Sequence, residues 1–293
     1  MRRRRMDQRI IDLYDDFTHG DYSRREFLDR LASLAGSAAA GAALLPLLQN
    51  NYALAQMMPE SDPRITAETV DVSGVQGLKG YLVRPKDAGK LAAVVVIHEN
   101  RGLNPHVKDV TRRMAAEGFL ALGLDYLSPM GGTPADEDKG RDMIGQLKPN
   151  DVIAYGKATV AYLETHTNGN GKVGAMGFCW GGGAVNNLAV NEPKLDAGVA
   201  YYGRQAKAED VSKIQAPLML HYAGLDQGIN AGIAAYEAAL KSAGKSYELY
   251  MYEGVNHAFN NDTGAARYNK EAADLAWSRT VAFLKKHLAY GAG

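Results

Sequence analysis

The sequence predicts an α/β fold, a mostly parallel sheet of about eight strands flanked by helices. Three observations predict it. Leu91–His98 (LAAVVVIH) is an unbroken apolar run, as expected of a strand buried on both faces of a helix-covered parallel sheet. From about Ile65 to Leu288, strand-like and helix-like patterns alternate. Gly177-Phe178-Cys179-Trp180-Gly181 places the chain's single cysteine between glycines at a strand-to-helix turn, where a nucleophile would stand clear of the sheet.

The elements follow in order. Thr69–Val72 and Leu78–Arg84 are short segments separated by Gly74 and Gly77, an antiparallel opening pair. After the Leu91–His98 strand, Asn104–Glu117 fits a helix stopped by Gly118, and Phe119–Leu124 a strand. The polar stretch Gly131–Lys148 reads as a loop or short lid. Asp151–Thr165 is an amphipathic helix, Lys172–Phe178 the strand before the cysteine, and Gly181–Val190 the helix after it. Ala197–Tyr201, Pro217–Tyr222 and Tyr247–Tyr252 are strands, while Ile233–Ala243 and Lys270–Leu288 are helices.

Lys plus Arg and Asp plus Glu both number 33, so no charge bias favours nucleic acid or an anionic membrane, and a small-molecule substrate is expected. One cysteine excludes an intramolecular disulfide and any cysteine-cluster metal site. No His-x-x-x-His or carboxylate cluster at ligand spacing appears, so neither metal nor cofactor is expected.

Residues 1–55 differ from the rest. Ser23-Arg24-Arg25-Glu26-Phe27-Leu28 precedes an uncharged run, Leu31–Leu48, and Ala53-Leu54-Ala55 offers a small-x-small cleavage site. The pattern resembles a twin-arginine export signal, implying a periplasmic protein that begins near Gln56. The run is too rich in Ala, Gly and Ser, and interrupted by Pro46, to be a stable membrane span. The alternative is a retained N-terminal helical arm on a cytoplasmic protein, with Ile10, Ile11, Leu13, Tyr14 and Phe17 as its apolar stripe. Asp7, Asp12, Asp15, Asp16 and Asp21 fit the arm better than a basic leader. Residues 56–64, with Pro59 and Pro63, form a linker, and 65–293 the catalytic domain.

A cysteine nucleophile requires a base and a group that orients the base. Asp226 follows the strand Pro217–Tyr222, and His257 follows Tyr247–Tyr252. Cys179, Asp226 and His257 therefore fall at strand ends in the order of nucleophile, acid and histidine. His221, inside a strand, reads as a core residue, and Asp262 stands in the wrong order. The backbone N–H groups of Trp180 and Asn100 are the expected oxyanion donors.

These residues resemble the dienelactone hydrolases (carboxymethylenebutenolidases), cysteine-nucleophile members of the α/β-hydrolase fold. The likeness rests on Lys172–Gly182, Asp226, Asn256-His257-Ala258-Phe259 and Glu99. It implies that Glu99 contacts the resting thiol and takes its proton when substrate binds. The family's dienelactone enzymes carry an arginine four residues after the histidine, where this chain has Asn261; Arg101, Arg141 and Arg267 are candidate replacements for binding a substrate carboxylate. The expected activity is hydrolysis of a small ester or lactone. Alternatives are a carboxylesterase or thioesterase for another small acyl substrate, or a non-catalytic binding or thiol-sensing protein on the same fold.

Overall fold

The chain enters through three helices and then alternates strand and helix. The structure, a computed structural model, describes residues 6–20, 22–54 and 57–289. Asp21 and the expected cleavage junction at Ala55 and Gln56 lie outside the described residues. Helices α1 (Gln8–His19), α2 (Arg24–Ala35) and α3 (Ala38–Leu48) form the N-terminal arm. Next come β1 (Ile65–Asp71), β2 (Lys79–Pro85), β3 (Leu91–Ile97), α4 (Pro105–Ala116), β4 (Leu120–Asp125), α5 (Glu137–Gln146), α6 (Pro149–Glu164), β5 (Gly169–Phe178) and α7 (Trp180–Asn191). The chain ends through β6 (Ala197–Tyr201), β7 (Leu218–Ala223), α8 (Gln227–Asn230), α9 (Ile233–Ser242), β8 (Tyr247–Tyr252) and α10 (Lys270–Leu288).

The strands form one eight-stranded sheet in the order β1-β2-β4-β3-β5-β6-β7-β8. β2 runs antiparallel to both β1 and β4, and every other pairing is parallel. The sheet is thus mixed, an antiparallel opening pair attached to a parallel body. Along β3, Ala93, Val95 and Ile97 enter a core with α6, α7 and α9, while Val94 and Val96 enter a second core with α4 and α10. Strand alternation turns successive residues to opposite faces, so an uninterrupted apolar run serves both layers.

The stretch expected as a loop or lid contains α5, which Asp136 caps by accepting from the N–H groups of Asp138 and Lys139. Its sequence is polar and includes Gly140, where an added Cβ would lie 2.8 Å from the carbonyl oxygen of Arg101. That close approach favours glycine over a better helix former.

In the arm, Ser23 and Glu26 make a reciprocal capping box, so α2 starts at the paired arginines. Gly36 ends it in the left-handed conformation, and Ser37 caps α3. The two helices meet at 110°, and among the described residues no single helix is long and apolar enough to cross a membrane. Ile10, Leu13, Tyr14, Phe17, Phe27, Leu31 and Leu48 form the arm's own core, and Ile11 is buried too. The stripe expected of a retained arm is therefore its inward face. Polar contacts tie it to the domain: Arg267 to Asp15 at 2.5 Å, Gln8 to Asn256 Oδ1 at 2.5 Å, Asn100 Nδ2 to Thr18 O at 2.6 Å, and Arg24 to Asp138.

The turn from β5 to α7 is held by the closest backbone packing in the site. A Cβ on Gly177 would meet the Gly181 carbonyl oxygen at 2.2 Å, and one on Gly181 would meet that of His98 at 2.4 Å. Backbone atoms cannot swing aside as side chains do. Gly177→Ala and Gly181→Ala are each expected to cost about 1–3 kcal/mol or more of stability. Gly89→Ala, with open space around its Cβ, is expected to be near neutral; equal denaturation midpoints for all three variants would contradict the packing account.

Candidate active site

Cys179 occupies the turn with φ 54° and ψ −117°, in a region costing a non-glycine residue on the order of 1–3 kcal/mol. The surrounding backbone enforces it: Cys179 donates its N–H to Tyr201 O at 3.0 Å, and its carbonyl accepts from Gly183 N at 3.1 Å. The result is a partly buried thiol at the mouth of α7, where first-turn N–H groups lack intrahelical partners. Trp180, the first residue of α7, stacks its indole on His98 at 5.4 Å.

Asp226 caps α8, one carboxylate oxygen accepting from Ile229 N at 3.1 Å. The other meets Nδ1 of His257 at 2.5 Å. Because an ionised carboxylate only accepts, His257 carries its proton on Nδ1 and turns Nε2 away. Among the described residues, that Nε2 is buried without a hydrogen-bond partner. The structure therefore brings Cys179, Asp226 and His257 to one end of the sheet.

It also brings in a residue with no sequence signal. His19, the last residue of α1, places Nε2 3.6 Å from Cys179 Sγ. Its Nδ1 lies 2.7 Å from the Asp15 carbonyl oxygen, so Nδ1–H donates there and Nε2 faces the sulfur. The His19 and His257 rings meet edge to face at 4.7 Å. Tyr202, also absent from the sequence reading, stands beside them at φ 38°, its ring centroid 4.8 Å from that of His257.

Electrostatics follow from this arrangement. Burial alone would push the Cys179 thiol up, but the imidazoles of His257 and His19 outweigh it and bring the thiol down to about 6. Burial opposes the charged form of His257, yet the sulfur and Asp226 together hold it well above the ordinary histidine value. Asp226 resists burial through its bond to His257 and is held low. The arrangement thus makes the thiol more acidic and the His257 imidazole more basic than their ordinary values.

The remaining expected residues are distributed differently. Glu99 is buried, but its Oε2 accepts from Asn261 Nδ2 at 3.0 Å, and no hydrogen bond joins it to the thiol. The thiol's hydrogen-bonded neighbour is His19. Asn261, where the family's arginine would stand, is thus the residue that holds Glu99. Arg101 pairs with Glu137 at 2.6 Å and Arg267 with Asp15. Arg141 donates to Phe17 O at 3.3 Å and lies over the Phe17 ring. Arg141 and Asn100 line a cavity of about 1060 Å³ that contains Cys179 and His257, as do His19, Tyr202, Arg204 and Lys207. His221 bonds Thr280 and Tyr252 inside the core, where burial and then Arg279 depress it to about 3. Asp262 pairs with His106 at 2.9 Å.

Comparison with known proteins agrees with this architecture. Residues 78–288 match the model of the dienelactone hydrolase family, and residues 1–37 match a separate model described as YqhI-like. A protein of Saccharolobus solfataricus named as a carboxymethylenebutenolidase is 33% identical over 245 residues, spanning 71% of this chain and 94% of its own. A Bradyrhizobium protein named as a 2-oxo-3-(5-oxofuran-2-ylidene)propanoate lactonase is 32% identical, spanning 71% of this chain and 89% of its own. A crystal structure from Klebsiella pneumoniae, named as a dienelactone hydrolase, superposes with a TM-score of 0.69 at 27% identity, over 76% of this chain and 99% of the other. The chain belongs to the dienelactone hydrolase family.

Proposed function

We propose that this protein hydrolyses a small ester or lactone with Cys179 as nucleophile, His257 as acid and base, and Asp226 holding the imidazole. The observation that carries the reading is the thiol on its strained turn beside an imidazole anchored on Asp226, an arrangement that brings the thiol down to about 6. At pH 7 a group of that acidity holds about ten thiolates for each thiol. Free cysteine holds only a few per cent.

Cys179 Sγ attacks the substrate carbonyl carbon, and the developing oxyanion is received by the N–H of Trp180 and that of Asn100. Each such donor is worth about 10²- to 10³-fold in rate. His257 gives its Nε2 proton to the departing alkoxide, leaving a thioester on Cys179. A water then gives a proton to Nε2 and attacks the thioester, releasing the acid and regenerating the thiolate. Asp226 remains ionised throughout and fixes the tautomer.

The cavity wall carries three cations, Arg141, Arg204 and Lys207, against two carboxylates, Asp142 and Asp210, which leaves it a small positive excess. A substrate bearing a carboxylate, as in the propanoate lactone of the Bradyrhizobium relative's name, suits that wall. The same proposal keeps residues 1–55 in the working chain, because His19 at the thiol and Thr18 at Asn100 complete the site from that segment.

Cys179→Ala is expected to lose on the order of 10³-fold or more in p-nitrophenyl ester turnover; a rate equal to wild type would overturn the mechanism. The pH dependence has a definite sign: below about 6 the sulfur gains a proton, so iodoacetamide alkylation of Cys179 rises through that pH and levels off above it. His257→Ala, which removes the first of the lowering partners, is expected to move the alkylation midpoint upward, toward the ordinary thiol value near 8.5. An unchanged midpoint would detach His257 from the thiolate. The intact mass of the protein from its host is expected to include residues 1–55, and a mass starting near Gln56 would favour export and cleavage instead.

A further inference from the structure

Three donor groups from distant parts of the chain converge at the elbow. Cys179 lies between β5 and α7, His257 after β8, and His19 at the end of α1. The cysteine sulfur and a ring nitrogen of each histidine lie within 4.8 Å of one another. The two imidazoles are prepared alike. His19 anchors Nδ1 on the Asp15 carbonyl at 2.7 Å, and His257 anchors Nδ1 on Asp226 at 2.5 Å. Metal-binding histidines almost always show this arrangement, the second ring nitrogen held by a carbonyl or carboxylate. His257 Nε2 is buried and unpartnered among the described residues. A tetrahedral zinc-type centre with metal–sulfur near 2.3 Å and metal–nitrogen near 2.0–2.1 Å has its sulfur and nitrogen about 3.5 Å apart. The distance from Cys179 Sγ to His19 Nε2 is 3.6 Å.

We propose that Cys179, His19 and His257 form a three-ligand site for a borderline-soft divalent cation of the zinc class, with the fourth position open to the cavity, and that its occupancy switches off the nucleophile. Donors of one sulfur and two nitrogens suit zinc-class ions and disfavour magnesium or calcium, which take oxygen. The cation takes the sulfur lone pair that would attack substrate, so binding and turnover exclude each other. No redox change is involved; the cation replaces protons on the imidazoles and thiol, which leave to solvent. His19 is the ligand carried by the arm, so the bound ion would also clamp α1 to the elbow. The inference rests on the same residues as the hydrolase reading, but not on turnover.

The test is titration of the full chain with Co²⁺ as a spectroscopic probe for Zn²⁺. The expected result is thiolate-to-cobalt charge-transfer absorption saturating at one ion per chain and abolished by added Zn²⁺, while Mg²⁺ has no effect. His19→Ala is expected to weaken Zn²⁺ binding more than about 10-fold, since even changes outside the ligand shell cost 10- to 100-fold. His19 is exposed at a helix end, and His19→Asn with a circular dichroism spectrum controls for folding. Zn²⁺ is expected to inhibit ester turnover with the same dependence on His19. Absence of charge-transfer absorption in excess Co²⁺, or equal Zn²⁺ affinity in wild type and both His19 variants, would overturn the site. The absorption reads the metal alone, so failure of the hydrolase reading would show separately as absent turnover in metal-free protein.

Discussion

The constraint on which the site depends is the backbone contact between the end of β5, the start of α7 and the end of β3. Gly177 and Gly181 bring main-chain atoms so close that no side chain fits between them. The turn is forced, and Cys179 is forced with it into a conformation that cysteine would not otherwise choose. Hydrogen bonds to Tyr201 and Gly183 oppose that strain. Because β5 lies at the centre of the sheet, next to β3 and β6, the two cores on either face fix the turn from both sides. The thiol is thus placed by a central strand packed on both faces.

The other functional groups are placed by progressively less regular structure. Asp226 and His257 lie in loops after β7 and β8, and their mutual hydrogen bond sets each other's orientation. His19 belongs to a separate layer, held to the domain by contacts such as Arg267 with Asp15 and Asn100 with Thr18.

The legibility of the chain follows the same gradient. β3 can be read from LAAVVVIH because burial on both faces leaves no room for polar residues, and the cysteine turn can be read because close backbone packing demands glycine. The order of Cys179, Asp226 and His257 is legible because parallel topology puts every loop of one kind at the same end of the sheet. His19 is not legible: it is 160 residues from Cys179, and a histidine ending an amphipathic helix announces nothing about what it will touch. α5 hides for another reason, since its polar composition resembles a loop and only the Asp136 cap marks a start. Glu99 is visible as a carboxylate after β3, but its partnership with Asn261 depends on the tertiary path of the loop after β8.

The Asp15–Arg267 pair joins the arm to the domain where both groups are largely withdrawn from solvent. Charges withdrawn from water attract each other more strongly than a solvent-exposed pair, so undocking is opposed by more than the loss of a surface contact. Being part of the same chain, the arm occupies this ground as an intramolecular ligand, and such a ligand competes at an effective concentration on the order of millimolar. Any molecule that enters through the ground the arm covers competes with that local concentration. Access to the sulfur then depends on an ion pair remote from it, so a change at Asp15 or Arg267 would alter that access without touching the thiol.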